Sequence, residues 1–423
     1  MIKRYIKQTW AMLKQHKLFG SLYIIGTAIP VALTMIVITF QYIRVGSIYP
    51  EEHRDEIWIT NWAGYGEQRN EISLNIVKEW FYPLHDVKSV TAMRKKGEPI
   101  LLPDGKTCIQ VQSMMTDPGF FRVFDFDFLS GKPFTQTDLN NGNYCAVISA
   151  SLSRSLFGTE QSVGKTFVMN YVRFTVSGVV RDASALTPLT YAQVYIPYSC
   201  FPDSRDNQSP DQLLGSYKVC MRIPSGKSAS VHAQIEQHNR QYQLMYRHDG
   251  FVSPPCPIWR YNVNSQLMEY EEDASDKALR LFGGLILVFL LVPALNLSGM
   301  ISGRMEGRLP EMGIYKAFGA TRCYLLGRVL GENLVFTILG GLVGLLFAWS
   351  VLVWGRNWIF GFIFPDIYLY HTPDILVTAQ MLFSPWVFLS AFLVCVVLNV
   401  ASALIPVWNS LRSEIVYSLN QKK

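Results

Sequence analysis

The chain is 423 residues long, room for more than one domain at ~100–200 residues each, and 49 % of it is apolar against 17 % charged. That balance is too apolar for an ordinary soluble protein and too polar for a bundle lying wholly in lipid. The net charge of +6 is gathered beside apolar runs, which reads as membrane orientation and argues against nucleic acid as a partner.

Residues 1–20 read as a basic amphipathic helix, with Lys3, Arg4, Lys7, Lys14 and Lys17 and no acid. A first apolar run, 21–43, exceeds the ~20 residues needed to cross a bilayer and lacks a small-residue cleavage site after it, so it reads as an uncleaved anchor. Residues 44–276 are mixed in character and read as a separate domain. Three further spans follow at 279–301, 330–354 and 385–405. The loop 302–329 and the tail 406–423, with Arg412, Lys422 and Lys423, are basic, whereas the loop 355–384 carries Arg356 and two Asp. The bias of Lys and Arg puts both termini and the 302–329 loop in the cytoplasm and 44–276 outside. The expected fold is an integral membrane protein with four transmembrane α-helices and a large α+β extracytoplasmic domain between spans one and two. In span three, Gly340, Gly341 and Gly344 form a stripe of small residues. It suits close helix packing within one protomer or a seam between two. Pro30 and Pro293 are candidate kinks.

Within 44–276, TCIQVQSMM, AVIS, KTFVMN, RFTVSGVV and AQVYIP read as strands. Thr116-Asp117-Pro118 predicts a helix start, with FFRVF following it. Ala150 to Phe157 predicts a helix closed by Gly158, and a third helix is expected over about Ser228 to Met245. Cys108, Cys145, Cys200, Cys220 and Cys256 are odd in number and match no metal spacing, so buried free thiols are the default. Glu51, Glu52, Asp55 and Glu56 form an acidic run read as solvated surface. His232 and His238 share the third helix but sit six apart, on different faces, which does not suit a metal pair.

One segment imitates a phosphate-binding loop. GTEQSVGKT, Gly158 to Thr166, ends in Gly-Lys-Thr, but five residues separate its first Gly from the Gly-Lys pair where the motif has four. It also runs from a helix into a strand, the reverse of a phosphate loop. No ATP site is expected here. The HExxH, paired CxxC and GxSxG patterns are absent, and the chain reads as no enzyme and in need of no cofactor.

The most specific stretch is RMEGRLPEMGIYKAFGATRCYLLGRVLGE, Arg304 to Glu332. Pro310 suits the first position of a helix, Glu311 suits the positive end of its dipole, and Gly319 suits a left-handed stop. The resulting two-turn helix, Glu311 to Phe318, carries Ile314, Tyr315 and Phe318 on one face with Lys316 and Arg322 around it. So short a helix is unstable alone and must dock on its own spans, on lipid or on a cytoplasmic partner.

EMGIYKAFGATR resembles the loop between spans two and three in the MacB/FtsX family of ABC transporter permeases, which commonly reads EIGIRKALGAT. FFRVFDFDFLSGKPFTQTD, AVISASLSRSLFG, SVGKTF and FTVSGVVRD resemble, in order, the periplasmic core domain of that family. Glu332 with the Gly340-Gly341 pair, and ALIPVWNSLRSEIVYSL with Pro406, resemble its third span and its tail. Pro310 and Tyr315 depart from the Arg that many relatives carry, and the tail lacks the usual Pro near Ile415. Unlike MacB, the chain shows no nucleotide-binding domain ahead of its first span.

The resemblance implies a permease subunit in the bacterial inner membrane. It would work with a dimer of a cytoplasmic ABC ATPase and a second permease copy, identical or not. A membrane-fusion or outer-membrane protein is a further partner of some relatives. Glu311, Ile314, Tyr315, Lys316, Phe318 and Gly319 would be the ATPase-coupling residues. The motion of the ATPase would pass through the spans to the outer domain, for export or extraction of an envelope substrate. The spans hold no chain of ionisable groups, which favours mechanical transmission over a water-filled path. The competing reading is a regulatory or sensor subunit that binds a peptide or envelope protein without moving cargo.

Overall fold

The first apolar run forms one helix, α1 (Lys17–Val45), with Pro30 inside it. It runs past the expected span at both ends, from Lys17 to Val45, and residues 1–16 of the expected amphipathic helix lie outside the described residues. The computed structural model describes residues 17–103, 105–202, 212–247, 249–264, 276–277, 279–289, 291, 312–355, 358–359 and 385–411. The chain divides into a helical unit (Met1–Tyr42, Asp276–Arg356, Ala379–Lys423) and a second unit (Ile43–Ser275, Asn357–Thr378).

The second unit is built from β1 (Ile57–Thr60), β2 (Ala63–Tyr65), β3 (Gln68–Ile72), α2 (Leu74–Ile76, running into a π turn Val77–Phe81), β4 (Ser89–Leu101) and β5 (Cys108–Thr116). It continues with α3 (Phe120–Val123), β6 (Phe128–Gly131), α4 (Gln136–Asn141), β7 (Cys145–Ser149), α5 (Ala150–Phe157), β8 (Thr166–Met169) and β9 (Val172–Val180). Then come β10 (Val194–Pro197), β11 (Leu214–Gly215), β12 (Lys218–Arg222), α6 (Ser228–Tyr246), β13 (Gly250–Val252), β14 (Cys256–Pro257) and α7 (Ile258–Asn264). The main sheet runs β14-β1-β12-β4-β5-β10-β7-β9-β6, with β8 joined to β4 and β9. It is mixed, β10 lying parallel to β5 and β7 parallel to β9.

The hairpin β4–β5 is the spine, in register from Met93 opposite Thr116 to Leu101 opposite Cys108. Side chains alternate across it. Ala92, Ile100, Val111 and Met115 enter one core with Leu152 and Leu156 of α5 and Val231 and Ile235 of α6. Met93 and Met114 enter the other, with Phe120, Phe124 and Tyr195. Helices therefore cover one face and an aromatic loop the other, the α+β arrangement.

A smaller sheet, β11-β3-β2-β13, is closed at β13 by α6. The Asn239 side chain donates to Val252 O at 3.0 Å and accepts from Val252 N at 2.8 Å, satisfying an edge that would otherwise stay open to pairing. His232 is tied to Pro255 O at 2.7 Å and His238 stacks on Trp80, so both histidines of this helix have packing roles.

The five expected strands and the helix Ala150–Phe157 with its left-handed Gly158 are found as predicted. Two expectations need correction. Thr116 is the last ladder residue of β5, and α3 begins at Phe120. Asp117 instead accepts from Gly119 N at 2.7 Å and from Ala92 N and Tyr82 Oη at 2.8 Å. The acidic run is not uniformly solvated either, because Glu51 is 0 % exposed. The Gly-Lys-Thr segment joins α5 to β8 with Lys165 at the surface, a helix-to-strand turn unlike a phosphate loop. The five outer cysteines are free thiols, Cys200 and Cys220 being buried.

The helical unit contains α1, α8 (Leu279–Phe289), α9 (312–317), α10 (Arg322–Trp354) and α11 (Pro385–Leu411). Among the described residues, two helices, at Gly20–Val45 and Arg322–Trp354, are long and apolar enough to cross a membrane. Residues 292–301 of the expected second span, most of the loop 355–384 and Glu311 lie outside the described residues. Two helices run beyond the expected spans. Thr321 caps α10 through Tyr324 N, so the helix starts eight residues before the apolar run at 330. The last helix continues past 405 to Leu411.

Candidate functional site

Residues 312–317 form α9, a helix with a braked exit over 318–320. Ala320 N donates to Tyr315 O and Gly319 N donates to Lys316 O, each at 2.9 Å, while Gly319 takes a φ of +87°. This is the two-bond stop that a left-handed residue makes possible, and it satisfies carbonyls that α9 would otherwise leave open. Thr321 then caps the first turn of α10. Two helices thus meet at an elbow of four residues, Phe318 to Thr321, with a cap on each side.

The faces of α9 have different fates. Met312 is buried with Tyr23, Leu325, Val329, Phe336, Ala403 and Val407 at the end of the bundle. Ile314 and Phe318, four apart and on one face, are 50 % and 88 % exposed. Tyr315 is exposed as well, at 39 %, and the Arg328 guanidinium lies over its ring at 4.7 Å from the centroid. Arg328 also approaches Glu332 Oε1 at 3.8 Å, and Glu332 is buried in the wall of α10. Lys316 is half-buried, and desolvation together with Arg322 lowers its pKa.

The glycine stripe is used inside the protomer. A β-carbon on Gly340 would fall 1.7 Å from Thr27 Oγ1 and one on Gly344 would fall 2.5 Å from Ala28 O, both on α1. On Gly341 it would meet Phe392 of α11 at 2.2 Å. These glycines lie where α10 approaches α1 and α11 most closely.

A second constellation surrounds the end of α1 in the outer unit. Arg54 is 2 % exposed. Its Nη1 donates to Ile43 O at 2.7 Å and Gly46 O at 2.6 Å, and its Nε donates to Glu51 Oε2 at 2.8 Å. Glu51 Oε1 accepts from Thr190 Oγ1 at 2.9 Å. Arg44 and Asn262 exchange hydrogen bonds, Arg44 Nη1 to Asn262 O at 2.9 Å and Asn262 Nδ2 to Arg44 O at 3.1 Å. A cation at the carbonyl end of a helix opposes its dipole, and here it is held there by a buried carboxylate. At the surface beside it, hydrogen bonds from Lys88 and Arg222 hold the Glu56 carboxyl down at about 2. Among the described residues, no cluster of His, Cys, Asp or Glu is arranged to hold a metal ion.

The MacB-like periplasmic core domain family matches residues 22–238, half of the chain, and the FtsX-like permease C-terminal family matches residues 283–415. The chain belongs to the MacB/FtsX-like ABC transporter permeases. The ABC transporter permease YknZ of Bacillus subtilis is 25 % identical over 269 residues, 62 % of each chain. The macrolide export ATP-binding/permease protein MacB of Chromobacterium violaceum is 25 % identical over 236 residues, 55 % of this chain and 34 % of that one. The chain therefore spans less than two thirds of the length of these relatives. The periplasmic region of MacB from Actinobacillus actinomycetemcomitans aligns at 18 % identity and a TM-score of 0.37, over 51 % of this chain and 92 % of that one.

As a MacB/FtsX-like permease, the chain combines an inner-membrane helical part with a periplasmic-type α+β domain. Its relatives are permease components of ABC transporters. Sequence reasoning passed over Arg328 and the Glu51–Arg54 pair. The signals were there as i,i+4 and i,i+3 spacings of opposite charge, but charged residues beside a span read first as topology signals.

Proposed function

We propose that the chain is the transmembrane subunit through which a separate cytoplasmic ABC ATPase moves the outer domain. In this reading α9, with Glu311 before it and Gly319 at its end, is the coupling element. The observation that carries it is the split of α9 into a buried anchor, Met312, and an outward pair, Ile314 and Phe318. An apolar pair at that exposure on a helix with cations around it has the size of an anchor for a groove on a partner. α10 would carry the displacement into the bundle, and α1 would deliver it to the Arg54 joint. The termini lie in the cytoplasm, a second permease copy completes the pore-less assembly, and the cargo is an envelope substrate exported or extracted by the moving domain.

The test is co-purification of the cognate ATPase with Ile314→Ala/Phe318→Ala, against Tyr171→Ala on the outer domain as control. Loss of two anchors should weaken association at least about tenfold, since ~1.4 kcal/mol is one decade. Full co-purification and an unchanged ATPase rate would reduce α9 to an elbow.

A further inference from the structure

We propose that Arg328 is a positioning residue that braces the elbow between α9 and α10, holding Tyr315 of the coupling helix on one side and Glu332 of the third span on the other. The inference rests on the coupling reading above and says how displacement of α9 reaches α10.

The elbow is well made along its backbone but narrow. Its caps fix the carbonyls of Tyr315 and Lys316 and the amide of Tyr324, and nothing in them sets the angle between the two helix axes. A side chain that reaches from one arm to the other does set it. Arg328 lies in the second turn of α10, and its guanidinium covers the Tyr315 ring in the last turn of α9. A planar cation over an aromatic face gains from both charge and stacking, more so where solvent is thinned. The same guanidinium lies 3.8 Å from the Glu332 carboxylate one turn further along. Glu332 is 1 % exposed on a helix of otherwise apolar character. A carboxylate so placed is costly without a cation near it, which fixes Arg328 against α10 and leaves its position dictated from below. Tyr315 is thereby held by a group that is itself held by the span. Displacing α9 then rotates the start of α10 instead of bending at Gly319.

This separates two jobs on one short helix. Ile314 and Phe318 bind the partner, while Tyr315, 39 % exposed and covered on one side by Arg328, transmits. The variants should separate in the same way. The complex of the full permease with its cognate ATPase would be placed in nanodiscs. Hydrogen exchange of residues 43–56, the outer joint, would be compared between nucleotide-free and ATP–vanadate-trapped states. Wild type should show a difference. Arg328→Ala should retain the ATPase on co-purification while the exchange difference falls about two- to fivefold, the factor set by one lost exposed contact of this class. Tyr315→Ala should do the same, and the double variant should be no worse than either, because both remove one interaction. Tyr315→Phe keeps the ring and Arg328→Lys the charge, so each should recover part of the difference, Lys the smaller part because planar stacking is lost.

Three results would overturn the brace: an undiminished exchange difference in Arg328→Ala, loss of the ATPase by that variant, or additive effects in the double variant. An absent difference in wild type would also overturn it, there being no motion to transmit. Should Arg328→Ala fail to fold, Tyr315→Ala and Glu332→Gln carry the same test from the two ends. The docking reading fails separately, through the behaviour of Ile314→Ala/Phe318→Ala.

Discussion

Thr27 and Gly340 meet so closely that the hydroxyl of one occupies the place where the other would carry a β-carbon. Thr27 Oγ1 would be 1.7 Å from that atom, and it already donates to Tyr23 O at 3.0 Å. The hydroxyl is satisfied on its own helix and has little freedom to swing aside.

Gly340→Ala should therefore loosen α1 from α10 within a single protomer. Overpacking of this kind costs about 1–3 kcal/mol. The expected result is a lower melting temperature of the detergent-solubilised chain with its oligomeric state unchanged. A variant that melts normally but dissociates into single chains would move the glycine stripe to a seam between copies.

Glu51→Gln removes the charge that neutralises Arg54 while keeping the shape. Breaking a buried ion pair from one side commonly costs about 3–5 kcal/mol, because the other charge stays buried. Chemical denaturation of the full chain, followed by tryptophan fluorescence, should show a large loss in stability. Glu52→Gln, one residue on and exposed, should show almost none. Equal effects of the two substitutions would mean that Glu51 is as solvated as the acidic run first suggests.

The carboxyl of Glu56 gives a pH dependence with a definite sign. Its folded pKa, about 2, lies below the ordinary 4.5, with Lys88 and then Arg222 as the causes. Such a group adds stability that is complete above about 4.5 and is lost as the pH falls through about 2. Glu56→Gln should lower stability near neutrality by about 1 kcal/mol, as expected for a partly exposed network. The gap between wild type and variant should close between pH 4.5 and 2. A gap that stays constant over that window would assign the effect to packing.

Two native cysteines report on sidedness. Cys108 and Cys323 are both exposed, and Cys323 lies one residue into α10. If the 302–329 loop is cytoplasmic and β5 is outside, a membrane-impermeant maleimide should label Cys108 in intact spheroplasts and Cys323 only after lysis. Labelling of Cys323 before lysis would invert the proposed topology.

The sequence made some parts of this architecture plain and hid others for physical reasons. β5, β7, β8, β9 and β10 are rich in β-branched and aromatic residues and were readable as strands. β4 was not, although it is the longest strand, because Arg94, Lys95, Lys96 and Gly97 interrupt its apolar pattern. Burial on both faces of the sheet overrides that local signal, since each alternate residue finds a covering layer. The left-handed stop at Gly319 was legible because few residues adopt that backbone. The contact of Tyr315 with Arg328 was not, as the two are thirteen positions apart and on different helices. Glu51 was misread for a similar reason: its partner Thr190 comes from a distant loop.

The unbroken course of α1 has a mechanical consequence. Its 29 residues make a rod of roughly 44 Å at the rise of an α-helix. Tilted by about 10° around one end, a rod of that length carries its other end through about 7–8 Å. Arg54 holds that far end through Ile43 O in its last turn and Gly46 O just beyond it, which works against fraying. In the proposed coupling, a tilt of α1 too small to disturb its packing at one end would still move the other end by the length of a side chain.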